Sequence, residues 1–292
     1  MKGRIGIIGG SGMGEALGSL GRGESRVVDT PFGRPSGPIE LLELDGVPVA
    51  LLSRHGPGHL FNPSQVPYRA NLYALKALGV THVLASTAVG SLKEDIHPRE
   101  LLIPDQFIDK TFRRAGTFFD DLAVHVEFAS PVCPNLRALL LGAGASAPTR
   151  VHPQGTYVCM EGPQFSTRAE SELHRSWGAD VIGMTAMPEA KLAREAELCY
   201  AMVCLPTDYD CWRPAPAGLS GMKLLEEILG NLKAATANAL ALIRRTLPLI
   251  AGAQAAPCHC PSALELGIWS DRTRIPAAAR ERLGVLLARH LG

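Results

Sequence analysis

The sequence predicts an α/β fold, with the whole chain, residues 1–292, forming a single domain in which helices flank a central mixed β-sheet. Short runs rich in β-branched residues alternate with longer stretches of helical periodicity, a pattern typical of a buried sheet covered by helices. Several strands follow one another without an intervening helix, so we expect a mixed sheet rather than a wholly parallel one. A chain of 292 residues is also long enough to bury a substantial core.

Five segments are predicted as strands and five as helices. The strands are 4–8, 39–44, 47–53, 80–86 and 198–205, and the helices are 64–79, 167–177, 188–197, 222–246 and 276–291. We expect Ser64 to cap the first helix, and Pro188 and Pro276 to lie in first helical turns, where a missing N–H costs nothing. Segments 142–148 and 251–261 are expected to be loose, the second as a linker to a C-terminal helix.

Composition excludes several classes of function. Hydrophobic residues make up 46% of the chain, charged residues 20%, and the net charge is +1, so there is no basic excess to bind nucleic acid or an anionic membrane. No apolar run approaches the ~20 residues needed to span a bilayer. The apolar run near the N-terminus breaks after four residues at Gly9, as in a first strand rather than a secretory signal. We therefore expect a cytoplasmic protein.

The seven cysteines do not form a recognisable framework. Their number is odd and their spacing irregular for a secreted disulfide scaffold. No pair has the CxxC spacing, so a structural zinc site of the usual kind is not expected. The segment Cys258-His259-Cys260 leaves three interpretations open: a strained disulfide, half of a metal site, or free thiols in a loop.

A glycine-rich loop, Gly9 to Gly14, directly follows the first predicted strand. Its glycines allow the backbone to approach an anion, and Ser11 adds a hydroxyl donor. A dinucleotide fingerprint would need a further glycine where Glu15 or Leu17 stands, and a Walker A loop would need Gly-Lys-Ser/Thr. The sequence thus favours either an anion contact or a simple tight turn.

Two more donor-rich segments follow apolar strands. Arg54 and His55 begin one of them, and a planar guanidinium fork is well suited to phosphate. Ser86 and Thr87 begin the other, where hydroxyls and free N–H groups can hold phosphate oxygens. Because ligands of open α/β sheets collect beyond the strand ends, we expect these segments and the glycine loop to converge on one anion.

Two further segments contain groups suited to a planar base. Asp208 and Asp210 follow the strand 198–205 and face the same side if the chain is extended. A carboxylate there can protonate, or hydrogen-bond to, a leaving nitrogen base, although an Asx-turn at the strand end is the simpler interpretation. Phe165 can stack on a ring, and Ser166 or Thr167 can cap the helix that follows.

Six segments occur in a characteristic order: DTPFGRPS at 29–36, SRHG at 53–56, TAVGSL at 87–92, DQFID at 105–109, EGPQFSTRAE at 161–170 and TDYDCW at 207–212. Together they resemble the purine nucleoside phosphorylase and methylthioadenosine phosphorylase family, in its trimeric branch, and most closely its methylthioadenosine phosphorylase subgroup. The segments span roughly the first 230 residues, so the resemblance also implies one domain.

The resemblance implies a site for two substrates. Inorganic phosphate would be held by Ser11, Arg54, His55, Thr87 and Ala88. The nucleoside would be bound by Phe165, Ser166, Met184, Thr185 and Leu224, with Asp208 and Asp210 as the catalytic acids. His125 matches a residue lent to a neighbouring subunit, which implies a homotrimer or a dimer of trimers. No metal and no cofactor are implied besides phosphate as co-substrate.

Three positions point within the family to 5′-methylthioadenosine, which phosphate would cleave to adenine and 5-methylthioribose 1-phosphate. In the phosphorylases of 6-oxopurines that this family includes, Glu stands where this chain has Ser166, Asn where it has Asp208, and His where it has Leu224. An Asp carboxylate accepts from a 6-amino group, and Leu224 offers a 5′-hydroxyl no partner. Methylthioinosine or a general purine nucleoside remains an alternative substrate. The alternatives to this enzyme class are a nucleoside-binding protein and an NAD-dependent oxidoreductase.

The Cys258–Cys260 pair also resembles a CxC feature that forms a disulfide in thermostable archaeal members of the family.

Overall fold

The structure is a computed structural model that describes residues 3–13, 16, 23–214, 218, 220–253 and 258–291. Within these residues the predicted α/β fold is confirmed, since eleven strands form one mixed sheet and helices cover both of its faces. No helix in this part of the chain combines the length and apolarity required to cross a bilayer.

The strands are β1 Arg4–Gly9, β2 Glu24–Arg26, β3 Ile39–Leu44, β4 Val47–Ser53, β5 Val80–Ser91, β6 Leu101–Leu102, β7 Gln106–Asp109, β8 Val151–His152, β9 Thr156–Cys159, β10 Val181–Gly183 and β11 Cys199–Asp208. The helices are α1 Tyr68–Ala77, α2 Pro134–Gly144, α3 Arg168–Ser176, α4 Ala186–Glu195, α5 Gly221–Gly252 and α6 Ala277–Leu291. Short 3-10 turns lie at Pro57–His59, Cys260–Ser262 and Arg272–Arg274.

Strand β5 is the centre of the sheet. The main strand order is β2-β3-β4-β1-β5-β10-β9-β7, and β11 also pairs with β5. β5 runs parallel to β1 along its first half and to β11 along nearly all its length, whereas β10 pairs antiparallel with its last residues. The carboxyl ends of β1, β4 and β11 are therefore gathered around the second half of β5.

The sheet separates two hydrophobic cores because successive side chains of a strand point to opposite faces. In β1, Ile7 packs into the core formed with α2 and α5, and Ile8 packs into the core formed with α1, α4 and α6. Both side chains are fully buried. This double coverage explains why the central strands have nearly continuous apolar sequences.

The observed elements differ from the prediction at several boundaries. β5 continues five residues past Ser86 because its pairing with β11 extends as far as Gly90 and Asp208. Helix α1 begins only at Tyr68, after Pro67, and the predicted cap Ser64 instead donates its hydroxyl to Glu161. The prediction ended the long helix at Thr246, whereas α5 includes Pro248 and continues to Gly252.

The two segments predicted to be loose are only partly so. Gly142 and its neighbours complete the helix α2, which the sequence analysis missed. In the predicted linker 251–261, α5 still includes Gly252, residues 254–257 lie outside the described part, and Cys260 is buried. The expected C-terminal helix is confirmed as α6.

Candidate functional site

A cavity of about 160 Å³ opens at the carboxyl ends of β1 and β4. It is lined by Gly9, Gly10, Gly12, Ser53, His55, Gly56, Pro57, Gly58 and His59. Because most of these residues are glycines, the cavity wall is largely backbone, which allows a small anion to approach closely. We call this cavity the anion cavity.

Three segments predicted to converge do meet beside this cavity. The Arg54 N–H donates to the Gly9 carbonyl at 2.9 Å, and the Gly10 N–H donates to Ser86 Oγ at 3.3 Å. A Cβ on Gly10 would lie 2.6 Å from the Ser86 carbonyl oxygen and 2.9 Å from Arg54 Nη1. Only glycine therefore allows the first loop to approach the other two segments this closely.

Arg54 is completely buried and paired with Glu189, a residue that the sequence analysis did not single out. Nε and Nη2 of Arg54 donate to the two carboxylate oxygens at 2.7 and 2.8 Å, and Nη1 donates to the Ser86 carbonyl at 2.7 Å. The Tyr200 hydroxyl also donates to Glu189. Burial lowers the pKa of Arg54, but the Glu189 carboxylate outweighs it and keeps the pKa above its usual value.

The guanidinium of Arg54 thus makes two hydrogen bonds to Glu189 and one to the Ser86 carbonyl. These bonds engage three of its five N–H donors. The two remaining donors are those on which the predicted phosphate contact depends. The signal for Glu189 in the sequence is an acidic residue within the otherwise apolar start of α4, a placement that calls for a buried partner.

His55 lines the anion cavity as a neutral imidazole. Burial lowers the pKa of His55 to about 4 despite the opposing effect of the Phe61 carbonyl, and the charges of Arg54 and His59 lower the pKa further. Nδ1 lies 2.7 Å from the Phe61 carbonyl oxygen and can only donate to it. Nε2 of the neutral ring therefore carries a lone pair and is an acceptor.

The remaining predicted phosphate contacts lie along β5 and after β1. Thr87 is buried in β5, and its hydroxyl is 3.1 Å from that of Thr185. This distance brings Thr185, predicted for the nucleoside, to the phosphate side of the site. Ala88 follows Thr87 in the strand and is half-buried, and Ser11 lies half-buried in the turn after β1.

Two carboxylates stand at the end of β11, next to the end of β5. Asp208 accepts from the Thr207 hydroxyl at 2.7 Å and from the Asp210 N–H at 2.8 Å, so the Asx-turn interpretation also holds. Burial raises the pKa of Asp208, and these two hydrogen bonds oppose the increase only in part. Oδ2 of Asp210 is buried and has no hydrogen-bond partner among the described residues.

Residues predicted to bind the nucleoside are placed less tightly. Ser166 lies near the carboxylates, because its carbonyl accepts from the Cys211 thiol at 3.3 Å. Met184 packs so closely on Gly162 that a Cβ there would lie 2.5 Å from the sulfur. In contrast, the Phe165 side chain is 85% exposed and Leu224 on α5 is 36% exposed. Thr167, rather than Ser166, caps α3.

His125 lies on the exposed surface of the chain. Its ring packs on Trp269 with centroids 4.5 Å apart, and its backbone N–H donates to the Gly267 carbonyl at 2.8 Å. Trp269 is itself 70% exposed. The described hydrogen bonds and ring contacts of His125 do not involve Asp208 or the anion cavity.

A buried ion pair that the sequence analysis missed supports the nucleoside side. Glu161 accepts from Arg114 Nε at 3.0 Å and from the Phe112 N–H at 2.7 Å, and Arg114 donates to the Met184 and Met187 carbonyls. Burial raises the pKa of Glu161, but hydrogen bonds from the Ser64 hydroxyl and this N–H, together with the guanidinium charge, lower it to about 2. The pair fixes the backbone between β10 and α4.

The arrangement resembles known proteins closely. The model of the phosphorylase superfamily matches residues 4–248. S-methyl-5′-thioadenosine phosphorylases from Geobacter sulfurreducens and Thermosynechococcus vestitus are 48% and 47% identical, over 98% and 100% of this chain and 99% and 100% of their own lengths.

Solved structures agree with these sequence matches. A methylthioadenosine phosphorylase sourced from an antarctic soil metagenomic library superposes with a TM-score of 0.89 at 45% identity, covering 98% of this chain and all of that one. The Schistosoma mansoni methylthioadenosine phosphorylase in complex with adenine gives a TM-score of 0.82 at 34% identity, over 92% of this chain and 100% of that one.

Proposed function

The chain belongs to the phosphorylase superfamily, and from that premise we propose that it cleaves 5′-methylthioadenosine with inorganic phosphate, yielding adenine and 5-methylthioribose 1-phosphate. One observation carries the proposal: Asp208, at the end of β11, pairs in register with Gly90, which lies three residues along β5 from Thr87 in the segment that meets the anion cavity. Burial raises the pKa of the Asp208 carboxyl group, which suits it to protonate a leaving base. The names of the full-length relatives support the same substrate.

The anion cavity is the proposed phosphate site. Hydroxyls of Ser11 and Thr87 and the remaining N–H donors of Arg54 would hold the phosphate oxygens. The neutral His55 adds a different contact, because its Nε2 lone pair can accept a hydrogen bond from the P–OH group of hydrogen phosphate. Phosphate bound there attacks C1′ of the ribose, and its negative charge stabilises the cation that develops as the glycosidic bond loosens.

Asp208 and Asp210 would divide the recognition of adenine between them. Asp208, with its raised pKa, donates a proton to N7 and so neutralises the departing base. Oδ2 of Asp210 is a buried acceptor without a partner among the described residues, and it suits a 6-amino donor. A 6-oxo group would oppose two acceptors at that position, which leaves both unpaired and costs binding free energy.

The 5′ end of the substrate is recognised by apolar contact. Leu224 faces the methylthio group in this proposal, and Met184 packs against the ribose. Apolar contact alone discriminates weakly between substrates. Adenosine, which has a 5′-hydroxyl in place of the methylthio group, leaves no hydrogen-bonding group of the pocket without its partner. Adenosine should therefore be a slower substrate rather than an excluded one.

We further propose that the site is completed by a second copy of the chain, as a homotrimer or a dimer of trimers in the cytoplasm. Phe165 and Leu224 are uncovered in the single chain, and His125 is exposed beside Trp269. A neighbour's His125 would cover the ribose. Mixing Asp208→Asn chains with His125→Ala chains tests this, since hybrid oligomers regain one intact site that neither variant forms alone. No regained activity after subunit exchange would contradict it.

Base release from four nucleosides tests the proposed reaction. Methylthioadenosine, adenosine, inosine and methylthioinosine are each incubated with the protein, with and without phosphate. The proposal predicts phosphate-dependent adenine release, fastest from methylthioadenosine. Faster release from the two 6-oxo nucleosides would overturn the roles given to Asp208 and Asp210. Binding without release from any of them would indicate a nucleoside-binding protein.

A further inference from the structure

Four cysteines from three distant parts of the chain meet on the face of the sheet covered by α2 and α5. Cys133 stands at the N-cap of α2, Cys199 begins β11, and Cys258 and Cys260 follow α5. Their four Sγ atoms all lie within 4.8 Å of one another, and all four are free thiols. Three of the four residues are buried and Cys258 is half-buried.

This spacing suits a single tetrahedral ion. Sulfur atoms placed about 2.3 Å from a central zinc ion form a tetrahedron with edges of about 3.8 Å. The Sγ atoms of Cys199 and Cys258 are 3.5 Å apart, close to that edge and far from the roughly 2.05 Å of a covalent S–S bond. Small side-chain adjustments bring the other sulfurs from within 4.8 Å to the same distance.

We propose that Cys133, Cys199, Cys258 and Cys260 bind one structural Zn²⁺ ion as four thiolates. The ion replaces four thiol protons, which pass to solvent, and the closed site has a net charge of −2. Cys133 is favourably placed for a thiolate, because it stands at the N-cap of an eleven-residue helix. Four protein ligands leave no open position, as is typical of structural zinc.

The site joins segments that the sequence separates widely. Cys133 and Cys199 are 66 residues apart and Cys199 and Cys258 are 59 apart, so no local motif reports the ligand set. Cys258 and Cys260, which the sequence allows as half of a metal site, supply two of the four ligands. The ion would fasten the chain after α5 to the first residue of β11. Asp208 lies at the other end of that strand, about 30 Å away, so stability rather than catalysis should depend on the ion.

The first experiment uses the unaltered protein, purified with a reductant and without chelators, then incubated with equimolar Zn²⁺ and desalted. Elemental analysis and native mass spectrometry should give one zinc per chain. A protein that binds no zinc while the four proposed ligands remain free thiols would overturn the proposal. So would iron in place of zinc, or a mass lowered by two hydrogens for each disulfide formed among these cysteines.

A variant pair separates the cluster from thiols in general. The double substitution C258S/C260S should lose the zinc, and the melting temperature should no longer fall when chelator is added. Cys204→Ala is the matched control, because Cys204 is a fully buried thiol on β11 that packs into the opposite core. The control should keep one zinc per chain. Loss of zinc from Cys204→Ala, or its retention in the double variant, would contradict the assignment.

Binding of Co²⁺ to the unaltered protein tests the site even where the double variant does not fold. Co²⁺ bound to the unaltered protein at four thiolates gives intense charge-transfer absorption in the near ultraviolet and tetrahedral bands in the visible. Titration should saturate at one Co²⁺ per chain, and added Zn²⁺ should abolish the absorption. Octahedral spectra or no saturation would overturn the site.

Discussion

The two ends of the candidate site are built differently. Beside the anion cavity, Arg54, Glu189 and Ser86 form a buried set of hydrogen bonds within one chain. At the proposed nucleoside end, Arg114 and Glu161 hold the backbone at Met184, whereas the side chain of Phe165 is exposed.

This difference follows from what each substrate demands. A small anion is recognised by short, directional hydrogen bonds, which need a rigid frame prepared before binding. A flat base and a methylthio group are recognised mainly by apolar contact, which a neighbouring subunit can supply. Substitutions in the buried pairs, Arg54–Glu189 and Arg114–Glu161, should therefore affect folding, whereas substitution of the exposed Phe165 should affect substrate alone.

Of the substitutions considered, Arg54→Ala should lower the free energy of unfolding the most. Arg54→Ala leaves the Glu189 carboxylate buried with Tyr200 as its hydrogen-bond donor, so we expect a loss of about 3–5 kcal/mol in the free energy of unfolding, measured with urea. Arg69→Ala is the control, since its pair with Asp120 is partly exposed and should cost about 1 kcal/mol or less. Equal losses in the two variants would contradict the role of the buried pair.

Asp208→Asn should lower kcat for adenine release by about 100-fold or more, because an amide cannot transfer a proton to N7. A raised pKa means that the protonated form persists to higher pH, and activity should fall as pH rises through that pKa. The variant should lack this alkaline limb, and its phosphate affinity should be unchanged. A normal kcat with an intact pH profile would show that another group protonates the base.

Glu161→Gln tests the fixed floor of the nucleoside end. We expect the free energy of unfolding at pH 7 to fall by about 2 kcal/mol, because the amide loses the charge that pairs with Arg114. The lowered pKa of Glu161 means that its contribution is present above pH 4.5 and is lost as pH falls towards about 2. Urea unfolding at pH 7 and pH 3 should show a smaller difference in the variant.

Phe165→Ala should have the smallest and most selective effect. Loss of stacking should raise KM for methylthioadenosine about tenfold, or about 1.4 kcal/mol, and leave KM for phosphate unchanged. Because the side chain is 85% exposed, stability should change by less than about 0.5 kcal/mol. Val27→Ala, an exposed residue away from both ends, is the control and should alter neither constant. A matching rise in KM for phosphate would remove the distinction between the two ends.

Sequence patterns predicted the parts of the molecule that depend on local periodicity. The bounds of β3 and β4 were predicted to the residue, since each is rich in aliphatic residues and ends where turn residues begin. β5 was predicted too short because Ser86 and Thr87 are polar, although both are buried and paired within the strand. In the sequence, a buried hydroxyl residue inside a strand cannot be distinguished from a polar residue that ends the strand.

Long-range partners could not be predicted in this way. Glu189 lies 135 residues from Arg54, and Arg114 lies 47 residues from Glu161, so no window of the sequence contains either pair. The site residues themselves came from a resemblance rather than from periodicity, and their roles stay predictions. What the residues alone did indicate was the convergence of three donor-rich segments, because the geometry of parallel strands requires it.

The continuity of β5 has a consequence for how such proteins diversify. Thr87 and Gly90 belong to one strand, so the separation between the two substrate ends is set by three backbone steps, about 10 Å. An inserted residue would turn every later side chain of β5, which pairs with both β1 and β11, to the opposite face. New specificities can therefore arise by exchanging residues at either end, while the count of residues between them is held constant by the sheet.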